Sequence, residues 1–267
     1  MPFVDPQPQI AARPQVSDTA VSDAALARLL ADQAGAVLLE VRTGPETGRD
    51  LKDAGDRRAQ EVLAAVLARY RPADAVLSEE ATDSAARLSA DRVWIIDPLD
   101  GTREFSERPR TDWAVHVALW ERGTLSAGAV ALPAESITFG TDSPPVVPDR
   151  PEADGPIRLA VSRSRPPAFV VELAERLGAE LVAMGSAGVK CAAVWRGQAD
   201  AYVHGGGQYE WDSAAPVAVA RAAGLHTSRI DGSALEYNRP DPLLPDLVVC
   251  RPNLADGILR AIAEVNP

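Results

Sequence analysis

The chain has 267 residues, 38 acidic and 27 basic side chains and a formal net charge of -11, with 46% hydrophobic and 24% charged residues. These proportions describe a globular chain long enough to bury a substantial core, and they exclude wholesale disorder. The acidic balance opposes binding to nucleic acid polymers or anionic lipid, and no continuous apolar stretch is long enough to span a membrane.

Residues 1–16 are proline-rich and lack a basic stretch followed by an apolar one, so they read as a disordered leader rather than a signal peptide; a cytoplasmic chain is expected. From Ser17 to Val41 apolar residues recur at helical spacing, with Ser17 or Asp18 as N-cap. A Gly/Pro/Thr-rich break over Thr43–Gly48 precedes a second amphipathic helix from about Asp56 to Tyr70. Two apolar runs, Ala75–Leu77 and Val93–Ile96, read as buried strands that end in acid. Trp113–Trp120 and Thr124–Leu132 flank Glu121-Arg122-Gly123 as a β-hairpin.

The proline-rich segment Thr141–Pro156 reads as an exposed connection between an N-terminal half (17–142) and a C-terminal half (157–267) of one catalytic unit. Beyond it the pattern predicts a strand at Arg158–Val161, a helix at Pro167–Leu177, a strand at Leu181–Ala183 and a helix at Val189–Arg196. Strands at Ala201–Val203 and Leu247–Cys250, a helix after Asp212 and a last helix from Asn253 follow. Pro216 is expected in the first turn of its helix. Such interleaving argues for layered α/β packing.

The segment Trp94-Ile95-Ile96-Asp97-Pro98-Leu99-Asp100-Gly101-Thr102 carries the most chemistry. Pro98 disfavours helical geometry at Asp97, the chain turns through Pro98 and Leu99, and Gly101 permits close backbone approach to a bound group. Taken alone, Asp97 ends a strand and Asp100 caps a helix. Two further acid sites, Ser78-Glu79-Glu80 after a buried strand and Glu210-Trp211-Asp212 at a helix start, can converge with them on one sheet edge. Carboxylates so close repel unless cations lie between them, and oxygen donors of this kind, with the Leu99 carbonyl, suit Mg²⁺ or Mn²⁺.

Competing chemistries lack their patterns. His116, His204 and His226 show no paired-ligand spacing and read as surface or core side chains. Gly205-Gly206-Gly207 has no following Lys-Ser/Thr and reads as a turn, and Gly185-Ser186-Ala187-Gly188 is not a nucleophile elbow. Cys191 and Cys250 lack metal spacing and read as buried thiols.

Asp97-Pro98-Leu99-Asp100-Gly101-Thr102 resembles the DP[IL]DGT motif of the Mg²⁺-dependent, lithium-sensitive phosphomonoesterases of the inositol monophosphatase superfamily. Glu79 and Trp211-Asp212 occur in the family's order. Gly101-Thr102-Arg103-Glu104-Phe105, Val161-Ser162-Arg163-Ser164 and Gly185-Ser186-Ala187-Gly188-Val189-Lys190-Cys191 resemble its CysQ-type branch, which hydrolyses 3′-phosphoadenosine 5′-phosphate. The resemblance covers roughly Val21–Cys250.

It implies an αβαβα sandwich, commonly a homodimer. Glu79, Asp97 and the Leu99 carbonyl would hold a first metal, and Asp97, Asp100 and Asp212 a second. A third would sit more loosely near Glu79. Asp56 matches the aspartate that pairs with the motif threonine, Thr102, to orient the attacking water. The segment before it, Leu51–Asp56, is a compressed form of a longer family loop. The catalytic set expected is therefore Thr102, Asp56 and Glu79.

Substrate phosphate would meet Glu79, Leu99, Asp100, Gly101, Thr102 and Asp212, with the Gly101 and Thr102 N–H groups at a helix start. Ser162, Arg163 and Lys190 are candidates for a distal phosphate or adenosine, although Arg163 is one of 25 arginines and both it and Lys190 could merely face solvent. Tyr209 could stack on a base or pack against protein. Inositol 1-phosphate or fructose 1,6-bisphosphate are alternative substrates for the same apparatus, and a silent nucleotide sensor is the non-enzymatic alternative.

Overall fold

The first described element of the computed structural model is helix α1 (Asp23–Thr43), and residues 21–150 and 155–266 are described in all. The expected leader over 1–16 and the expected caps Ser17 and Asp18 lie outside the described residues. Within them Ser22 caps α1, its hydroxyl accepting from the Ala25 N–H at 3.2 Å.

Helix α2 runs over Gly48–Tyr70, so it starts well before the expected Asp56, and the supposed compressed loop Leu51–Asp56 is helical. The Gly/Pro/Thr-rich stretch before it and Gly55 within it argue for a loop, but Leu51, Gly55, Ala59, Leu63 and Leu67 form a continuous buried stripe at four-residue spacing. Gly55 belongs to the stripe because a Cβ there would lie 2.8 Å from the Phe105 ring and 2.9 Å from Leu99. Tertiary packing overrides local propensity here.

The first sheet orders β1 (Ala75–Ser78), β2 (Arg92–Asp100), β3 (Ala114–Glu121), β4 (Thr124–Leu132) and β5 (Ile137–Gly140) as β1-β2-β3-β4-β5. The β1–β2 pair is parallel and the others antiparallel. The β3–β4 hairpin turns through Arg122 (φ 45°) and Gly123 (φ 93°), two left-handed residues in the two-residue loop suited to strand twist. Strand β2 continues through Pro98 to Asp100 with a register shift against β3 between Asp97 and Asp100, so the expected turn is a bulge within the strand. A single helical turn, α3 (Thr102–Ser106), follows.

The second sheet contains β6 (Arg158–Ser162), β7 (Glu180–Met184), β8 (Ala201–Tyr209), β9 (His226–Ser228) and β10 (Leu243–Cys250), in the order β7-β6-β8-β10-β9. The glycine run is not a turn. It lies within β8, where Gly206 (φ 85°) and Gly207 (φ 81°) take left-handed backbone opposite a register shift in β10. The remaining helices are α4 (Ala168–Leu177), α5 (Ala187–Trp195), α6 (Glu210–Ala222) and α7 (Ala255–Val265). Helix α6 starts within two residues of Asp212, as expected, yet Pro216 lies a turn deeper than the first turn. Lacking an N–H, it leaves the Asp212 carbonyl without its usual donor four residues on.

Alternation along the strands produces the layers. Trp94 and Ile96 pack with Val115 and Val117 under α1 and α2. Val93 and Ile95 face the other way, onto α5, α6 and the inner face of the second sheet at Tyr202, Leu247 and Val249. The outer face of that sheet, through Leu159, Val203 and Val248, is covered by α4 and α7. The stack is α1α2, sheet, α5α6, sheet, α4α7: an αβαβα sandwich. Cys191 and Cys250 are free, fully buried thiols in two different core clusters. No helix among the described residues is long and apolar enough to cross a membrane.

Candidate active site

The register of β1 and β2 brings the first acids together. Ser78 pairs with Ile96, and the Glu79 N–H continues the ladder to the Ile96 carbonyl at 3.4 Å, placing Glu79 beside Asp97 at the carboxyl ends of two parallel strands. Asp97 is 1% exposed and its Oδ1 accepts the Leu99 N–H at 3.0 Å across the bulge. Gly101 (φ 85°) reverses the chain where a Cβ would press on the Asp112 carbonyl and Ser186.

From the middle helical layer α5 and α6 present their N-termini. Asp212 lies in the first turn of α6 and accepts the Tyr209 N–H at 2.7 Å, forming a capping box. Asp100 Oδ2 accepts from the Ser186 hydroxyl and from the Gly188 N–H at 2.8 Å, in the first turn of α5. Carboxylate oxygens of Asp97, Asp100 and Asp212 all lie within 4.8 Å of one another.

The electrostatics are those of several acids crowded out of water. Burial, then the charges of Glu79, Asp100 and Asp212, hold Asp97 well above the usual carboxylate range. Asp212 is raised to about 6 by burial and the charge of Asp100. Glu79 is open to solvent on one side of the cleft, yet desolvation by the cleft walls and the Asp212 charge also push it upward. Asp100 is the exception: burial opposes its charge, but His116, Lys190 and the Ser186 hydroxyl outweigh it and hold it at about 2. Buried carboxylates crowded in this way fit a divalent cation with hard oxygen ligands. The Leu99 carbonyl accepts the Thr102 hydroxyl at 3.1 Å and keeps its second lone pair.

Asp56 sits in α2, on the turn that packs against Leu99 and Phe105. Burial, then the charges of Glu80 and Asp53, raise it to about 7. No hydrogen bond joins Asp56 to Thr102 among the described residues.

A cavity of about 300 Å³ opens beside Asp100 and Asp212, lined also by Ser162, Arg165, Lys190, Tyr202 and His204. Larger hollows of about 390 Å³ beside α1 and about 700 Å³ under residues 229–245 line no comparable set of acids. Lys190 does not face solvent: it is 6% exposed, donates to the Ser186 carbonyl at 2.7 Å and lies 5.2 Å over the Tyr202 ring. Arg163 is placed otherwise than as a free phosphate fork. Its guanidinium pairs with Glu104 at 2.8 Å and with Glu107, so two carboxylates neutralise it. Arg165, two residues on, lines the cavity instead, its N–H donating to Ser162 Oγ at 3.3 Å.

Tyr209 stacks on Trp211 with centroids 4.8 Å apart. Glu210, in the same motif as Asp212, is structural: its carboxylate accepts the Asn238 and Arg239 N–H groups at 2.6 and 2.8 Å.

Sequence reasoning missed His116, Ser186, Arg165 and His204. His116 is 0% exposed and lies 3.2 Å from Asp100, whereas an isolated histidine in an apolar strand carries no signal of its partner. His204 lines the cavity and is held at about 4 by burial and Lys190, so it is neutral near pH 7.

Residues 15–266 match the model of the inositol monophosphatase family. The chain belongs to the inositol monophosphatase family. Among family relatives, a 3′-phosphoadenosine 5′-phosphate phosphatase of Mycobacterium leprae is 51% identical over 257 residues, 92% of this chain and 95% of that protein. The 3′(2′),5′-bisphosphate nucleotidase CysQ of Escherichia coli is 30% identical over 201 residues, 72% of this chain and 81% of that protein. The crystal structure of CysQ from Bacteroides thetaiotaomicron superposes with a TM-score of 0.73 at 27% identity, covering 87% of this chain and 98% of that one. The αβαβα sandwich is thus the inositol monophosphatase fold.

Proposed function

We propose that the chain is a Mg²⁺-dependent phosphatase that hydrolyses 3′-phosphoadenosine 5′-phosphate to AMP and phosphate. The observation that carries this reading is one cavity that carries both charges. Asp100 and Asp212 of the acid cluster line it together with Arg165 and Lys190. A substrate with one phosphate to cleave and a second to anchor suits that pairing. The named activities of the Mycobacterium leprae and Escherichia coli relatives support it.

Glu79, Asp97, Asp100, Asp212 and the Leu99 carbonyl are the groups that would hold two Mg²⁺ ions, with room for a third near Glu79. Bound there, divalent ions supply Lewis-acid charge to the phosphoryl oxygens and acidify water. The protein's own groups do the rest. The Thr102 hydroxyl gives its proton to Leu99, so its lone pairs are left to accept from, and orient, an incoming water. Asp56, raised to about 7, exchanges a proton near neutral pH and is the group that would take the water's proton. Gly101 and Thr102 N–H groups at the start of α3 would receive the phosphoryl oxygens. Ser162, Arg165 and Lys190 would hold the distal phosphate, with Arg165 taking the place expected for Arg163.

Inhibition by Li⁺, a cytoplasmic setting, a place in sulfate assimilation and assembly as a homodimer belong to the same reading. The test is phosphate release by the purified chain with Mg²⁺ from 3′-phosphoadenosine 5′-phosphate, inositol 1-phosphate and fructose 1,6-bisphosphate, with and without Li⁺. Preferred turnover of the nucleotide, lost in Asp100→Asn, is expected. Preference for a polyol phosphate, or full activity of Asp100→Asn at saturating Mg²⁺, would overturn the reading.

A further inference from the structure

The chain has three histidines, and only His116 is sealed from solvent. It sits in the middle of β3 on the face that carries Ala114 and Ala118 into the layer of α5 and α6. An imidazole in such a place is costly unless its two nitrogens are used. Nδ1 lies 3.1 Å from the Trp211 carbonyl, and because a carbonyl only accepts, Nδ1 carries the hydrogen. Nε2 lies 3.2 Å from Asp100 Oδ2, close but off the line of a well-formed hydrogen bond, so this buried atom is aimed at the acid cluster without a directed partner.

These contacts link β2 to α6, two elements that also pack against each other. Asp100 ends β2, and Trp211 immediately precedes Asp212 on α6. The ring therefore spans from one carboxylate to the backbone that carries another. A third element confirms that the space is shaped for it. A Cβ at Gly188, in the first turn of α5, would lie 2.1 Å from His116 Nε2. The same Gly188 donates its N–H to Asp100 Oδ2 at 2.8 Å. With Ser186, Gly188 and His116 all gathered at Oδ2, the other oxygen of Asp100 is left for a cation.

We propose that His116 is a positioning residue, a buried strut that sets the spacing of Asp100 against Asp212 and thereby the affinity of the acid cluster for a divalent cation. The inference rests on the metal-dependent reading above. Groups that orient first ligands commonly change metal affinity by about 10–100-fold when removed.

The test is Mn²⁺ binding to the metal-stripped 267-residue chain, read from the free-Mn²⁺ EPR signal, with melting temperature measured alongside. His116→Asn keeps a donor near the Nδ1 position and withdraws the group facing Asp100; His116→Gln places an amide near the Nε2 position. Mn²⁺ affinity is expected to fall about tenfold in His116→Asn and to stay within about threefold of the parent in His116→Gln. Gly188→Ala, which drives the ring off Asp100 without altering a carboxylate, should weaken Mn²⁺ as His116→Asn does, and it serves if a His116 variant fails to fold. Unchanged affinity in folded His116→Asn and Gly188→Ala overturns the strut, as does equal weakening in His116→Asn and His116→Gln, which would be a packing effect. If the parent chain binds no Mn²⁺, it is the metal-dependent reading that fails.

Discussion

Asp97→Asn should stabilise the metal-free protein while removing its response to Mg²⁺. The side chain is 1% exposed, and its carboxylate shares a 4.8 Å neighbourhood with those of Asp100 and Asp212. At an effective dielectric of about 20, two charges 4.8 Å apart repel by about 3.5 kcal/mol, and the raised proton affinity of Asp97 shows that the folded chain relieves this by holding protons. An acid whose folded pKa is raised contributes stability below its unfolded pKa and loses it as pH climbs through the folded one. The acid cluster therefore costs the fold more stability as pH climbs and these carboxyls lose their protons. In alkaline buffer, where Asp97 ionises, asparagine removes one charge and still accepts the Leu99 N–H, so a gain of about 1–2 kcal/mol is expected there, or roughly 2–8 °C in melting temperature for a chain of this size. Mg²⁺ at a hundredfold excess over its Kd would add about 2.7 kcal/mol to the parent and nothing to the variant. Thermal melts of both proteins, with EDTA and with Mg²⁺, should cross in rank. A variant that melts below its parent in EDTA, or still rises with Mg²⁺, would refute the argument.

Four further outcomes follow from named contacts. Thr102→Ala should lower kcat at least tenfold with little change in KM, measured by steady-state phosphate release, if its hydroxyl orients the water as proposed. The Mg²⁺ concentration for half-maximal activity should rise as pH falls from about 8 to about 6, since protons on Asp212 (about 6) and the upward-shifted Glu79 compete with the cation. Arg165→Ala should raise KM for a bisphosphate nucleotide by about 10–100-fold, the scale of one charge-assisted hydrogen bond, and leave a monophosphate substrate unaffected. Gly55→Ala should destabilise by about 1–3 kcal/mol in a denaturant melt, because the new methyl would meet Phe105 at 2.8 Å.

The motif around Asp97 was legible because strand end, acid, proline and glycine all fall between Ile96 and Gly101. Local chemistry alone orders such a segment: an apolar strand buries itself, Pro98 keeps Asp97 extended, and Gly101 takes the left-handed backbone. Glu79 and Asp212 were legible for the same reason, each ending or opening an element of clear period. The hairpin followed from alternation and a two-residue turn.

Most helices and strands, and the acids at their ends, could be read from the chain alone, since periodicity and end residues are local properties; the short strands β5 and β9 carry too little pattern to be read so. Tertiary packing decided that Leu51–Asp56 is helix, because Leu51 is buried there and Gly55 fits against Leu99 and Phe105. It also decided that Arg163 is neutralised by Glu104 and Glu107 while Arg165 lines the cavity, a distinction between two residues of one type on one short loop. His116 was invisible for the same reason: Asp100, Trp211 and Gly188 meet it from three separate elements, and the spacing of those elements arises only when the layers pack.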